Sequence, residues 1–292
     1  MSFEVTTAFV QQYRSNVQLL SQQKGSRLRS CVREESQTGK NGFYDQIGAT
    51  TARKRTERHG DTPLISTPHS RRRVSLTDYD WADLIDDMDK VRMLIDPTSS
   101  YALNAAHAMG RAMDDEIIAG FTATSYTGEE GSTAVSFPST QQIDISGTIT
   151  IAYLLLAKEM LDAAEVDEDI PRYFLCSANV LSDLLVLTEI KSADYDTVKA
   201  LVKGEIDTFL NFKFLRSERL PLDRTTTGGG SGDRSCFAWA KDGMLLAVGQ
   251  NPQAKISERA DKNYSTQVFY SQSVGTTRME EAKIVEMICQ EG

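Results

Sequence analysis

The sequence predicts an α+β fold, and three observations carry that prediction. Ala102, Ala106, Met109, Met113 and Ile117 form an apolar stripe at helical spacing, which marks one long helix. From Gly147 onward, helix-like and strand-like segments alternate. Towards the end strands dominate, with SCFAWA, MLLAVG, AKISER, STQVFYSQSVG and EAKIVEMIC each reading as an extended run.

The N-terminal quarter fits none of these patterns. Phe9, Tyr13, Val17 and Leu20 give a short amphipathic stretch, after which the chain turns polar through SQQKGSRLRS. Residues 41–75 combine Gly and Pro breakers with many Thr, Ser and Arg and few apolar side chains. Such a segment lacks the apolar surface to fold by itself. The expectation is that the first seventy-odd residues gain their shape by lying on another molecule. The long helix begins after Asp96, a capping residue, with Pro97 at its first position, and runs to about Thr122 before the Gly-rich TGEEGST.

In the alternating region, Ile149, Tyr153, Leu156, Met160 and Ala163 line one face of a second helix. The strand RYFLC follows, and Ser177 is placed to cap a third helix, ANVLSDLLVL. A fourth helix is expected over Tyr195–Gly204, then the strand FKFLRSERL, then TTTGGGSG as a loop. Asp242 and Gly243 mark a turn between two of the closing strands.

Composition narrows the function classes. The 292 residues suit one large or two modest domains, and no apolar run approaches the roughly 18 residues of a membrane span. The start of the chain lacks a charged, apolar and small-residue succession, so synthesis in the cytoplasm is expected. Cys31, Cys176, Cys236 and Cys289 are scattered, which favours buried thiols for the last three over a disulfide framework or zinc site.

Net charge is −9, but residues 21–73 hold 12 Lys and Arg against 5 Asp and Glu. That local balance of +7 leaves −16 for the remainder. A basic arm on an acidic body binds either nucleic acid or the acidic body of an identical neighbour. The acidic body argues against a dedicated DNA binder.

Sites of chemistry are sparse. Asp83, Asp86, Asp87 and Asp89 suggest a divalent metal, but their spacing around Trp81, Leu84, Ile85 and Met88 fits an amphipathic turn with an acidic face. Pairing of these carboxylates with Arg71, Arg72 and Arg73, within or between subunits, is the better reading. His59, His69 and His107 have no Cys or spaced carboxylate pair beside them. The Gly228–Gly232 run lacks the Gly-Lys-Ser/Thr ending of a phosphate loop, and no G-x-S-x-G or HExxH motif is present. Arg53, Lys54, Arg55 and Arg58, like Arg71–Arg73, are not interleaved with aromatics, so base stacking is not indicated. No catalytic residue, cofactor or metal is expected. A DNA-binding protein using the basic arm, and an enzyme with its site in residues 147–259, stand as alternatives.

The order of these parts, with SQQKGSRLRSCV, RHGDTPLISTPHSRRRVSLTDYDWADLIDDMDKVRMLIDPTSSYALNAAHAMGRAMDDEIIAGF and TGEEGST, resembles the major capsid proteins of tailed bacteriophages with the Hong Kong 97-type fold. The resemblance covers about residues 21–33 and 58–133, and beyond Gly147 it lies only in layout. It implies an N-terminal arm over 1–40, an extended loop over 41–75 lying on an adjacent subunit, and a peripheral domain over 76–146 with a spine helix at 97–122. It further implies a mixed α/β axial domain over 147–259 and closing strands over 260–292 that return to the peripheral domain.

The implied role is a non-enzymatic shell protein of the virion. It would self-assemble into hexamers and pentamers of an icosahedral head around double-stranded DNA. A cleaved scaffolding region of the kind some members carry is not seen before the arm. A separate scaffolding protein is therefore implied, together with a portal, a possible decoration protein, and no membrane. The expected inter-subunit contacts run from Arg53, Arg55, Arg58, Arg71, Arg72 and Arg73 to Asp83, Asp86, Asp87 and Asp89.

Overall fold

The computed structural model of the chain describes residues 21–58, 60–62, 64–86, 98–145, 147–186, 208–222 and 232–290. In chain order the strands are β1 (Arg33–Ser36), β2 (Asn41–Ile47), β3 (His69–Ser75) and β4 (Thr77–Ile85). Helix α1 (Thr98–Thr122) precedes β5 (Ser125–Thr127), β6 (Thr133–Val135) and β7 (Gln142–Ile145). Then come α2 (Ile151–Ala163), β8 (Arg172–Cys176), α3 (Ala178–Val186), β9 (Thr208–Phe209) and β10 (Phe212–Arg216). The chain closes with β11 (Asp233–Ala240), β12 (Met244–Arg259), β13 (Ser265–Arg278) and β14 (Ile284–Gln290). The sheets run β1-β12-β13-β4, β7-β14-β11-β8-β10-β9 and β2-β3-β5-β6.

Two compact units share these elements: Met1–Ser26, Thr77–Met113 and Gln250–Val274 form the first, and Arg27–Leu76, Asp114–Gly249 and Gly275–Gly292 the second. In the first, β4 lies antiparallel on β13, from Thr77 opposite Val274 to Ile85 opposite Thr266. Val268, Gln272 and Val274 are buried, and the Gln272 amide donates to the Met109 carbonyl of α1 at 3.0 Å. Met109 and Met113 pack in the core as the helical stripe requires.

The chain just before Ser26 crosses α1 at Gly110. A Cβ there would sit 2.4 Å from the Gly25 carbonyl carbon, so only glycine permits the crossing. Next to it, Arg111 donates to the Gln22 side chain at 2.7 Å and the Gln23 carbonyl at 3.2 Å. Gly110→Ala is expected to lift residues 22–26 off the helix at a cost of about 1–3 kcal/mol. Faster tryptic cleavage at exposed Lys24, with a lowered thermal midpoint, would report it.

The second unit is built on the six-stranded sheet, whose strands β8 and β11 are buried along their whole length. Phe121 of α1 stacks on Phe237 at 4.6 Å and tilts against Trp239 at 4.9 Å, and Tyr173 lies 5.5 Å from Trp239. The Trp239 indole N–H reaches the Cys31 carbonyl at 3.0 Å, so the core aromatic also fixes the arm. Leu210 and Asn211 both have positive φ, as a two-residue type I′ turn between β9 and β10 requires. Ser177 caps α3, accepting from the Val180 N–H at 3.2 Å. All four cysteines are buried outside any disulfide, Cys31 included, and burial pushes the Cys31 and Cys176 thiols upward.

Several expectations need correction. The segment Thr77–Ile85 is a strand and not an amphipathic turn; its aspartates are tolerated because β4 is a sheet edge with one face open to water. Helix α2 buries Leu154, Ala157 and Leu161, whereas Leu156 is exposed, because the sequence is apolar almost all round and leaves the face ambiguous. MLLAVG and AKISER belong to one strand, β12. Its register with β1 ends at Val248, so Pro252 lies beyond it on an open edge, where a missing N–H is harmless. The amphipathic stretch before residue 21, the Asp96 cap, the helix expected over 195–204 and most of the TTTGGGSG loop lie outside the described residues.

Candidate self-assembly hairpin

Residues 41–75 form an antiparallel hairpin, β2 against β3, with Asn41 opposite Ser75 and Ile47 opposite His69. The alternation of side chains sends Tyr44, Gln46, Ser70 and Arg72 to one face and Phe43, Asp45, Arg71 and Arg73 to the other. The first face packs on the body. Val74 joins Leu245, Ala247 and Met279 in a buried cluster against which Tyr44 and Leu76 rest.

Two polar side chains on this face converge on a single carbonyl. The Gln46 amide donates to the Met279 oxygen at 2.5 Å, and the Arg72 Nε donates to the same oxygen at 3.1 Å. Arg72 also pairs with Glu281 at 2.7 Å. Glu281 in turn faces the buried Arg278 at 4.0 Å. Arg278 is fixed by the Phe121 and Ala123 carbonyls at the end of α1, by the Val135 carbonyl of β6, and by the Phe137 ring. Desolvation, together with the charge of Arg72, lowers the affinity of Arg278 for its proton.

The opposite face is held as well. Arg71 pairs with Asp45 at 2.6 Å and lies over the Phe43 ring, and Arg73 lies over Tyr126 at 4.6 Å. The Thr127 hydroxyl donates to the Arg71 carbonyl at 2.9 Å. Asp45, His69, Ser70, Arg71, Gly128 and Glu129 line an open cleft of about 440 Å³ beside these contacts. The hydrogen bond from Arg71 holds the Asp45 carboxyl below its ordinary value of 3.8. A group with a depressed folded value contributes stability above its unfolded value and loses it as pH falls through the folded one. In an NMR titration Asp45 is therefore expected to protonate below 3.8 and to move back towards it in Arg71→Ala.

Away from this root the picture reverses. Arg53, Lys54, Arg55 and Arg58 are all exposed, and the Arg55 Nε donates to the Glu57 carbonyl, at 3.0 Å. Ile47 is 70 % exposed and Leu64 97 %, with Ile65 also out in water. Cations and bare aliphatic side chains thus share one stretch, 48–68, that extends from a fixed base.

The sequence-predicted residues therefore separate. Arg71, Arg72 and Arg73 are engaged by Asp45, Glu281 and Tyr126 of the same chain. Of the acidic run, Asp83 is half-buried on β4 and accepts from the Leu84 N–H at 2.8 Å, and Asp86 is exposed. Asp87, Asp89 and His59 lie outside the described residues. Among the described residues no group of three or more His, Cys, Asp or Glu is arranged to hold a metal.

Among the described residues, the expectation that the N-terminal quarter takes shape only on another molecule is also corrected: β1 pairs with β12, and β2 and β3 are fixed to their own body, while the described residues of 48–68 are exposed.

Sequence reasoning missed Asp114, whose carboxylate is 1 % exposed and accepts from the Arg27 N–H at 3.0 Å and the Leu28 N–H at 3.2 Å. An aspartate directly after Met113, on the border of the apolar stripe, was the available signal. Gln46 and Glu281 carried none.

Comparison with known proteins follows from this geometry. A family model described as phage capsid protein matches residues 5–291. Among solved structures, the capsid of Cyanophage P-SCSP1u is similar at 16 % identity and a TM-score of 0.74, over 99 % of this chain and 95 % of that one. The Cyanophage Pam1 capsid is similar at 15 % identity and 0.70, over 99 % and 98 %. The head of Helicobacter pylori bacteriophage KHP40 gives 10 % and 0.74, again over 99 % and 98 %. No curated protein matches the sequence. The shared architecture is the α+β, Hong Kong 97-type capsid fold. With nearly its whole length matched, the chain belongs to the phage capsid protein family and is a shell protein of the virion.

Proposed function

We propose that this chain is the major capsid protein of a tailed phage, forming hexamers and pentamers of an icosahedral head that encloses double-stranded DNA. The observation that carries the reading is the exposed 48–68 stretch, cationic and aliphatic at once, on a hairpin whose base is fixed. Each copy lays that stretch on the next, so every subunit gives and receives the same contact. Head-to-tail contacts of this kind close into rings where the rotation permits, and many weak contacts together make a strong shell.

Arg53, Arg55 and Arg58 are the donors in this reading. The acceptors are acidic residues at and after β4: Asp83, Asp86, Asp87 and Asp89. Asp78 and Asp80 join them as exposed carboxylates on the same strand. Residues 76–146 with the closing strands make the peripheral domain, and 147–259 the axial one. Synthesis in the host cytoplasm, a separate scaffolding protein, a portal and a possible decoration protein belong to the same reading, and the role is structural, not catalytic.

Size-exclusion chromatography with negative-stain imaging tests it. Rings or closed particles are expected on expression with the scaffolding partner. A chain that stays a lone monomer under those conditions overturns it.

A further inference from the structure

We infer that the Met279 carbonyl and the Glu281 carboxylate are positioning groups for the hairpin, setting its direction in the free subunit before any neighbour arrives. The hairpin is seated on its own body by the Val74 cluster and by the pairing of β3 with β5, and at one further locus both of its strands are tied to the same atom. A carbonyl oxygen has two lone pairs, and here each is taken by a different strand, β2 through Gln46 and β3 through Arg72. Two strands tied to one atom are restrained from turning about each other or rocking on the body. Glu281 then holds the Arg72 guanidinium from two residues further on, a charge-assisted bond in a half-buried place.

The locus is itself anchored. It sits next to Arg278, whose guanidinium binds carbonyls at the end of α1 and on β6, so the carbonyl that receives the hairpin belongs to a rigid corner. The Met279 N–H is also fixed, donating to the Gly243 carbonyl at 2.9 Å. On the other face Arg73 over Tyr126 and the Thr127 hydroxyl on the Arg71 carbonyl tie the hairpin to β5, while Asp45–Arg71 joins its two strands. An exposed contact stretch far from its base moves many ångströms for a small rotation at the root. A fixed root therefore lowers the ordering entropy that docking must overcome.

The inference rests on the shell reading for why direction matters, but not for whether it is fixed. Two variants probe it: Glu281→Gln, which keeps the shape and removes the charge, and Gln46→Leu, which removes the β2 tie together with the acceptor of the exposed Ser70 hydroxyl and leaves Arg72 and Glu281 paired. Spin labels on Leu64→Cys and Asp242→Cys, both exposed, read the hairpin's direction by pulsed electron resonance; the native cysteines are buried. Amide hydrogen exchange at Tyr44 and Arg72 reads the root, with β11 as internal control.

In both variants the label distance distribution is expected to widen and root exchange to rise about tenfold, with β11 unchanged. Particle yield is expected to fall. A distribution as narrow as in the parent, or unchanged root exchange, overturns the inference. So does a widened distribution with full particle yield, since direction would then serve nothing. If the parent itself forms no particles, the shell reading fails, and the label distances still decide whether this corner aims the hairpin.

Discussion

Arg53→Glu, Arg55→Glu and Arg58→Glu together are expected to leave a folded subunit and to abolish particles, with yield reduced at least about a hundredfold. All three side chains are exposed, and the Arg55 Nε donates to the local Glu57 carbonyl. Surface changes of that kind shift stability by about 0.5 kcal/mol or less. At a docked interface the same reversal sets like charges against each other, which costs several kcal/mol per contact. The contact recurs at every subunit, so the loss is multiplied through the shell. Circular dichroism with a thermal scan confirms folding, and sedimentation reads particles. Normal particles would remove these residues from the interface.

The corresponding change at Arg71–Arg73 would be a poor experiment. Arg72 is buried against Met279 and Glu281, so its reversal disturbs the subunit itself, and a lack of particles would say nothing about docking.

Asp114→Ala is expected to be strongly destabilising. Its carboxylate receives the N–H groups of Arg27 and Leu28 at a site closed to water, where the chain enters the turn before β1. Alanine leaves the buried Leu28 N–H and the part-buried Arg27 N–H without that acceptor, at a cost of about 2–4 kcal/mol. For a chain of this size that is a fall of about 10 °C in thermal midpoint. Asp114→Asn keeps one acceptor oxygen and is expected to lose about half as much. A midpoint within about 1 °C of the parent in Asp114→Ala would show that the two N–H groups find other partners.

What the sequence shows depends on whether a structure rests on local pattern or on distant partners. Helix α1 was legible because Met109, Met113 and Ile117 repeat at the helical period and are buried as that period demands. Ser177 was legible as a cap because the capping bond spans three residues. The strands RYFLC and SCFAWA were legible because they are buried on both faces and mostly apolar.

The burial face of α2 was not legible, since Ile-Ala-Tyr-Leu-Leu-Leu-Ala offers apolar groups in every direction and the facing sheet makes the choice. The strand nature of Thr77–Ile85 was hidden by aspartates that an edge strand accepts. Least visible was the hairpin root. Gln46 and the carbonyl it binds are 233 positions apart, and a backbone acceptor leaves no trace in composition. The charges of Arg71–Arg73 were plain in the sequence, but their same-chain contacts with Asp45, Glu281 and Tyr126 were not.

The claim that one copy's exposed 48–68 stretch rests on the next is tested most directly by cross-linking mass spectrometry. Particles are assembled from an equal mixture of nitrogen-14 and nitrogen-15 chains, and cross-links from exposed Lys54 are sorted by isotope. Mixed-isotope pairs as abundant as single-isotope pairs are the expected result, because the linked residue then belongs to another copy. Lys54 cross-links confined to single-isotope pairs would mean that the stretch lies on its own chain, and would contradict the proposed docking.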